Sequence, residues 1–210
     1  HGHSLANSRI DFTFHGKAAH AAAAPQLGRS ALDACELMNI GVNYLREHMP
    51  DSARVHYAYL DAGGVAPNVV QAKARVRQLV RAADPDALRD LVARVRSIAD
   101  GAAMMTGTTV EAKVYSGVSN LVGNRPLEEV MQHEFEKLGP VPFEADDVGL
   151  ANDIRKTLTK DDITASFQRI GRETPENLPF CDFVAPLDRI NIGGEGSTDV
   201  GDVSWVCPRY

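Results

Sequence analysis

The sequence predicts an α+β domain built on a four-stranded antiparallel sheet with two helices packed on one face. Three observations predict it. Four segments alternate apolar and polar residues with period two, and two longer segments repeat apolar residues at steps of three and four. Between residue 8 and about residue 119 these segments follow one another as β-α-β-β-α-β, the split βαβ order.

The first strand covers residues 9–14, with Ile10, Phe12 and Phe14 on one side and Arg9, Asp11 and Thr13 on the other. Residues 15–20 follow as a loop hinged at Gly16. Pro25 and Gly28 precede a helix whose face carries Ala31, Leu32, Cys35, Leu37, Met38, Val42 and Leu45, and Pro50 ends it. Residues 55–60 form the second strand, with Val55, Tyr57 and Tyr59 aligned, and Gly63-Gly64 breaks it. Residues 69–80 form the third. There Ala72, Ala74 and Val76 oppose Lys73, Arg75 and Arg77, as in a sheet with one wet side. Asp84 caps the second helix and Pro85 opens it. Its stripe runs Leu88, Leu91, Val92, Val95, Ile98, Ala99, Ala102 and Met105 before Gly107 stops it. Residues 108–115 are the fourth strand, with Val110, Ala112 and Val114 aligned.

After Asn120 the pattern changes. Asn124 caps a helix over 127–138, Gly139 and Pro140 break it, and residues 147–158 read as helical. Residues 159–198 carry little periodicity, which predicts irregular structure or packing against polypeptide outside this chain. Residues 200–206 read as a short strand.

Composition narrows the function classes. With 44% apolar and 24% charged residues the chain reads as globular, not as disordered, collagen-like or coiled-coil. Twenty-two Lys and Arg against 28 Asp and Glu leave a formal charge of −6, which argues against a nucleic-acid partner. No apolar run approaches the roughly 20 residues of a membrane span. Three scattered cysteines, Cys35, Cys181 and Cys207, form neither a disulfide framework nor a zinc-ribbon spacing, and no secretory leader pattern is seen. The cytoplasm is the expected compartment. The first residue is His1, which reads as processing or truncation; His1-Gly2-His3 is either a plain loop or a weak chelator, since two His underfill a metal site.

Four features carry possible chemistry. His20 stands among Ala18, Ala19, Ala21, Ala22, Ala23 and Ala24, so its imidazole is uncrowded. It is either satisfied by a backbone carbonyl or acts as a donor to an oxyanion or as a ligand. Asn68, after Gly63-Gly64 and Pro67, belongs to a plain hairpin loop or offers a donor and an acceptor to a ligand. Arg81, at the end of the third strand, is a solvated charge or a bidentate carboxylate clamp. Asp199 and Asp202, with Ser197 and Thr198, fit a metal site, a His-orienting site or turn chemistry. Glu128-Glu129 falls in the first turn of a helix, where the dipole accounts for it.

The stretches FHGKAAHAAAAPQLGRSALDA, DAGGVAPNVVQAKARV and GSTDVGDVSW together resemble the metal-dependent aminoacylase/carboxypeptidase amidohydrolases. The resemblance implies a ferredoxin-like lid that also makes the dimer, over residues 8–119. Residues 1–7 would then be its junction with the catalytic domain, and residues 120–210 a partial α/β catalytic segment. It implies two divalent metals, zinc or manganese, in the intact enzyme. The substrate would be an N-acyl or p-aminobenzoyl amino acid with a free, glutamate-like carboxylate. By resemblance His20 matches the lid imidazole that stabilises the oxyanion in the partner subunit's site, Asn68 the lid amide near the scissile bond, and Arg81 the carboxylate grip. The family's metal ligands have no match here, so none is assigned and the chain alone is expected to be inactive. A second subunit is possible, and an open sheet edge offers a pairing surface. The competing expectation is a non-enzymatic dimerisation or amino-acid-binding module, because such folds host many functions.

Overall fold

Residue 9 begins the first strand in the sequence reading, but the structure, a computed structural model, starts it earlier: β1 is Ala6–His15. The described residues are 3–168, 170, 173, 181–188 and 196–207; the His1 alternatives lie outside them. Ile10, Phe12 and Phe14 are fully buried, as period two requires. Ser30 opens α1 (Ala31–Leu45) by accepting from the Asp33 amide at 3.0 Å, and a 3-10 turn, Arg46–His48, carries the chain to Pro50. There follow β2 (Arg54–Asp61), β3 (Lys73–Ala82), α2 (Pro85–Thr106) and β4 (Thr109–Val118). Asp84 accepts from the Ala87 amide at 2.8 Å, and Gly107 closes α2 with φ +65°, a left-handed turn that favours glycine.

The sheet order is β2-β3-β1-β4, with every neighbouring pair antiparallel. Ile10, Phe12 and Phe14 of β1 and Val76 and Val80 of β3 meet Cys35, Met38 and Val42 of α1 and Leu91, Val95 and Ala99 of α2 in one core. Burial pushes the Cys35 thiol up to about 12, so it behaves as a small apolar group. β2 and β4 are the edges. The apolar face expected of β4 is only thinly covered, with Val114 53% exposed, because no helix lies over this edge as deeply as over β1 and β3.

Three expectations are corrected. β3 begins at Lys73, not at 69, because residues 68–70 pair instead with residues 19–21 of a loop distant in sequence, a partner that local alternation cannot reveal. Residues 160–168 are helical, as α5 below, where irregular structure is expected from the sequence. Residues 200–204 form α6 (Val200–Ser204) in place of a strand. There the Val200 amide donates to Thr198 Oγ1 at 3.3 Å, and Val200 and Val203 fall three apart, a helical step.

Two polar positions lie inside the sheet unit. Gln78, on the helix-facing side of β3, is fully buried; its Nε2 donates to Asn39 Oδ1 at 2.9 Å, and Asn39 Nδ2 donates to the Tyr59 hydroxyl at 3.3 Å. On the opposite face, Asp11 is 8% exposed and takes both arms of Arg77, at 2.5 and 2.9 Å, while Arg77 lies 3.9 Å over the Tyr115 ring. The Arg77 hydrogen bond holds the Asp11 carboxyl below its ordinary value of 3.8. The unfolded chain therefore takes up this proton first on acidification. The stabilisation is complete above about pH 4 and is lost as pH falls through the lower folded-state value. Asp11→Asn is expected to flatten the acid limb of a melting-temperature profile below pH 4; an unchanged acid limb refutes the assignment.

The described residues form two compact units, one of Leu5–Asn120 with Ser197–Asp202, the other of the remainder. In the first, Asp202 Oδ1 accepts from the Ser119 amide at 2.8 Å, a bond between segments 83 positions apart and not the local turn bond that is one of the sequence alternatives. In the second, Asn124 caps α3 (Arg125–Leu138) by accepting from the Leu127 amide at 3.3 Å, followed by α4 (Ala145–Arg155) and α5 (Lys160–Gln168). Ile154, Leu158, Ile163 and Phe167 line an apolar groove of about 460 Å³ within this unit. Among the described residues no helix is long and apolar enough to cross a membrane.

Candidate functional site

At the end of β1 the chain leaves the sheet through Gly16, whose amide donates to the Ala72 carbonyl at 2.8 Å. A Cβ on Gly16 would fall on the Arg29 carbonyl oxygen, far inside van der Waals contact. This close approach lets Lys17 and Arg29 exchange two backbone hydrogen bonds, both 2.9 Å. The segment then runs beside the loop before β3: the Val70 amide donates to Ala19 O and the Ala21 amide to Asn68 O, both at 2.9 Å. His20 is thereby paired with Val69, and the segments carrying His20 and Asn68, 48 positions apart in sequence, run side by side at one end of the sheet.

His20 is exposed, and its Nδ1 accepts from the Ala22 amide at 3.3 Å and the Ala23 amide at 3.1 Å. An acceptor at Nδ1 leaves the ring proton of the neutral imidazole on Nε2, which has no partner among the described residues and is a donor. The neighbouring side chains are methyl groups, so nothing from the loop competes for that N–H. The ring is satisfied by backbone, one of the two sequence alternatives, but through two amides rather than a carbonyl. Those amides are the contribution that sequence reasoning missed; the tract of small residues was the available signal. Asn68 is exposed, and its carboxamide has no partner among the described residues. Its loop turns through Gly63 at φ +83° and Gly64 at φ +109°, both glycine conformations, with the Gly63 amide donating to Asp61 Oδ1 at 2.9 Å.

Arg81 is not brought to this place. It lies eight residues along β3 from Lys73, about 26 Å at a strand rise of ~3.3 Å. Half-buried, it sits on the open face between Asn7 of β1 and Arg54 of β2. Within one chain the two groups at the His20 end and the guanidinium at the other mark opposite ends of the sheet. No cluster of three or more His, Cys, Asp or Glu fit for a metal occurs among the described residues. Asp199 stands beside Thr198, which donates to it at 3.4 Å.

Known proteins share both the sequence and the fold of this region. Residues 6–104 match the family model described as the peptidase dimerisation domain. The chain is 41% identical over 215 residues to one of the subunits of p-aminobenzoyl-glutamate hydrolase of Escherichia coli, covering 98% of this chain and 45% of that protein. It is 31% identical over 136 residues to the Xaa-Arg dipeptidase of Mus musculus, covering 64% of this chain and 31% of that one. The crystal structure of the aminobenzoyl-glutamate utilization protein from Klebsiella pneumoniae superposes with a TM-score of 0.53 at 23% identity, over 62% of this chain and 33% of that one. The chain thus spans less than half the length of these relatives.

Proposed function

The chain belongs to the peptidase dimerisation domain family through residues 6–104, and from that premise we propose that it is the lid and part of the catalytic segment of a metal-dependent amidohydrolase. Its relatives are hydrolases by name. We assign it the amide bond of an N-acyl or p-aminobenzoyl amino acid with a free, glutamate-like carboxylate. The lid comprises residues 8–119, with the ferredoxin-like topology, and residues 120–210 belong to the catalytic segment. The cytoplasm remains the proposed compartment, in keeping with free Cys35, Cys181 and Cys207.

The observation that carries this reading is the His20 ring, turned by two backbone amides so that Nε2–H is the outward donor. A donor fixed before reaction stabilises negative charge on the amide oxygen as it develops, without reorganising. Asn68, in the segment that runs beside that of His20, is suited to the scissile amide, and Arg81 to the substrate carboxylate as a two-pronged clamp. The described residues do not make a ligand set for the two divalent metals, so zinc or manganese is assigned to polypeptide outside this chain and no step is derived through it.

The separation of Arg81 from His20 favours a site shared by two subunits. β2 is an open edge, and beside it Ile40, Tyr44 and Tyr57 are 49%, 66% and 43% exposed, an apolar flank suited to a second copy. If two β2 edges pair antiparallel about a twofold axis, the Arg54–Arg81 end of one sheet lies alongside the Asp61–Asn68 end of the other. A homodimer through the lid would then complete each site; a second, different subunit is the alternative partner. The test is turnover of p-aminobenzoyl-glutamate by the longer protein that carries this chain. Arg81→Ala is expected to raise KM about 10- to 100-fold with kcat little changed, the worth of one hydrogen-bonded charge pair. Unchanged KM refutes the clamp.

A further inference from the structure

The face of the sheet turned away from α1 and α2 is cationic in a chain of net charge −6. Lys73 and Arg75 alternate with the buried Ala74 and Val76, so both stand on this face. Arg9 joins them from β1, opposite Leu79, and Lys113 from β4, opposite Asp11. All four are exposed, and none makes an ion pair within 4 Å among the described residues, although Arg75 and Lys113 act on Asp11 from farther off and Asp61 stands opposite Arg75. The carboxylates in the same lattice are few and mostly engaged. Asp11 is held by Arg77, Glu111 lies 3.8 Å from His15, and Asp61 takes the Gly63 amide.

We infer that this face binds an extended acidic peptide, one with carboxylates at alternate positions. The warrant is charge complementarity combined with a shared repeat. Side chains two apart on a strand recur at about 6.6 Å, and so do alternate side chains of an extended peptide laid along it. A carboxylate over Lys73 therefore places the next over Arg75, and the track continues past the neutralised Arg77–Asp11 pair to Arg9. Single-stranded nucleic acid has a similar charge repeat but also needs aromatic faces on which bases stack. No Phe or Trp of the four strands stands on this face, and its one Tyr, Tyr115, is already covered by the Arg77 guanidinium at 3.9 Å, which leaves only the imidazoles of His15 and His56.

The inference stands apart from the proposed hydrolysis and is tested with the 210-residue chain. A fluorescein-labelled dodecapeptide of alternating Glu and Ser is titrated by fluorescence anisotropy at low salt. Saturable binding is expected, weakened about ten-fold or more when ionic strength rises from roughly 0.05 to 0.5 M. The exposed double variant Lys73→Glu, Arg75→Glu is expected to lose about ten-fold or more in affinity. Arg89→Glu, on the exposed side of α2, is expected to bind as the parent does, and circular dichroism checks that each variant is folded. No binding at low salt, binding indifferent to the double reversal, or displacement of the peptide by a single-stranded oligonucleotide at lower concentration overturns the inference.

Discussion

Two variants that are each nearly inactive are expected to regain turnover when mixed. In the longer protein that carries this chain, His20→Ala is expected to lower kcat about 10²- to 10³-fold, the usual cost of removing one oxyanion donor. Metal content and dimerisation are expected to stay unchanged, because His20 is exposed and, among the described residues, its ring bonds only locally, to the Ala22 and Ala23 amides. Arg81→Ala is the second variant, assayed well below KM. If each site takes its imidazole from one subunit and its guanidinium from the other, a mixed dimer contains one site with both groups intact and one with neither. After subunit exchange at equal concentrations half of the dimers are mixed, so about a quarter of the parent turnover returns. Sites built within single chains would return nothing, since each chain lacks one group. Failure to recover activity, with exchange verified by mass spectrometry, refutes the shared site while leaving the individual roles of His20 and Arg81 to their own kinetics.

The second large effect is on the scaffold that holds His20. Gly16→Ala puts a methyl group onto the Arg29 carbonyl oxygen, a backbone atom that cannot rotate aside. Relief requires the paired Lys17 and Arg29 backbones to part, giving up two hydrogen bonds of 2.9 Å and shifting the segment that leads to His20. A loss of about 2–3 kcal/mol is expected, read as a lower urea midpoint at constant slope. The control is Gly101→Ala, inside the C-terminal part of α2, where a Cβ meets nothing within 4 Å. That change is expected to stabilise by about 0.5–1 kcal/mol through helix propensity. Equal midpoints for Gly16→Ala and the parent would show that the approach to Arg29 is not required.

How much of this was legible beforehand differs from element to element. β1, α1 and α2 were readable because Ile10, Phe12 and Phe14, and the stripes around Cys35 and Val95, repeat with the period of the element that buries them. Their ends were readable where chemistry marks them, as at Asp84 and Gly107. The start of β3 was not, because Val69 and Val70 look like strand residues and only the segment carrying Ala19 and Ala21 decides where they pair. Gln78 falls in the apolar register, and its acceptability in the core depends on Asn39, a residue of another element. α6 misled for a related reason: a five-residue segment holds too little periodicity to separate a strand from a helix, and the deciding hydrogen bonds come from Thr198.

For the candidate site, residue chemistry made His20, Asn68 and Arg81 candidates and left a plain structural alternative open for each, and the family resemblance singled them out. Order along the chain and amphipathic period were likewise written in the sequence, because each depends on residues a few positions apart. Only the tertiary structure decided that the segments carrying His20 and Asn68 run side by side, that backbone amides turn the ring outward through Nε2, and that Arg81 stands at the opposite end of β3. The physical reason is that strand pairing joins residues with no local relation, and register then sets distance at a fixed rise per residue.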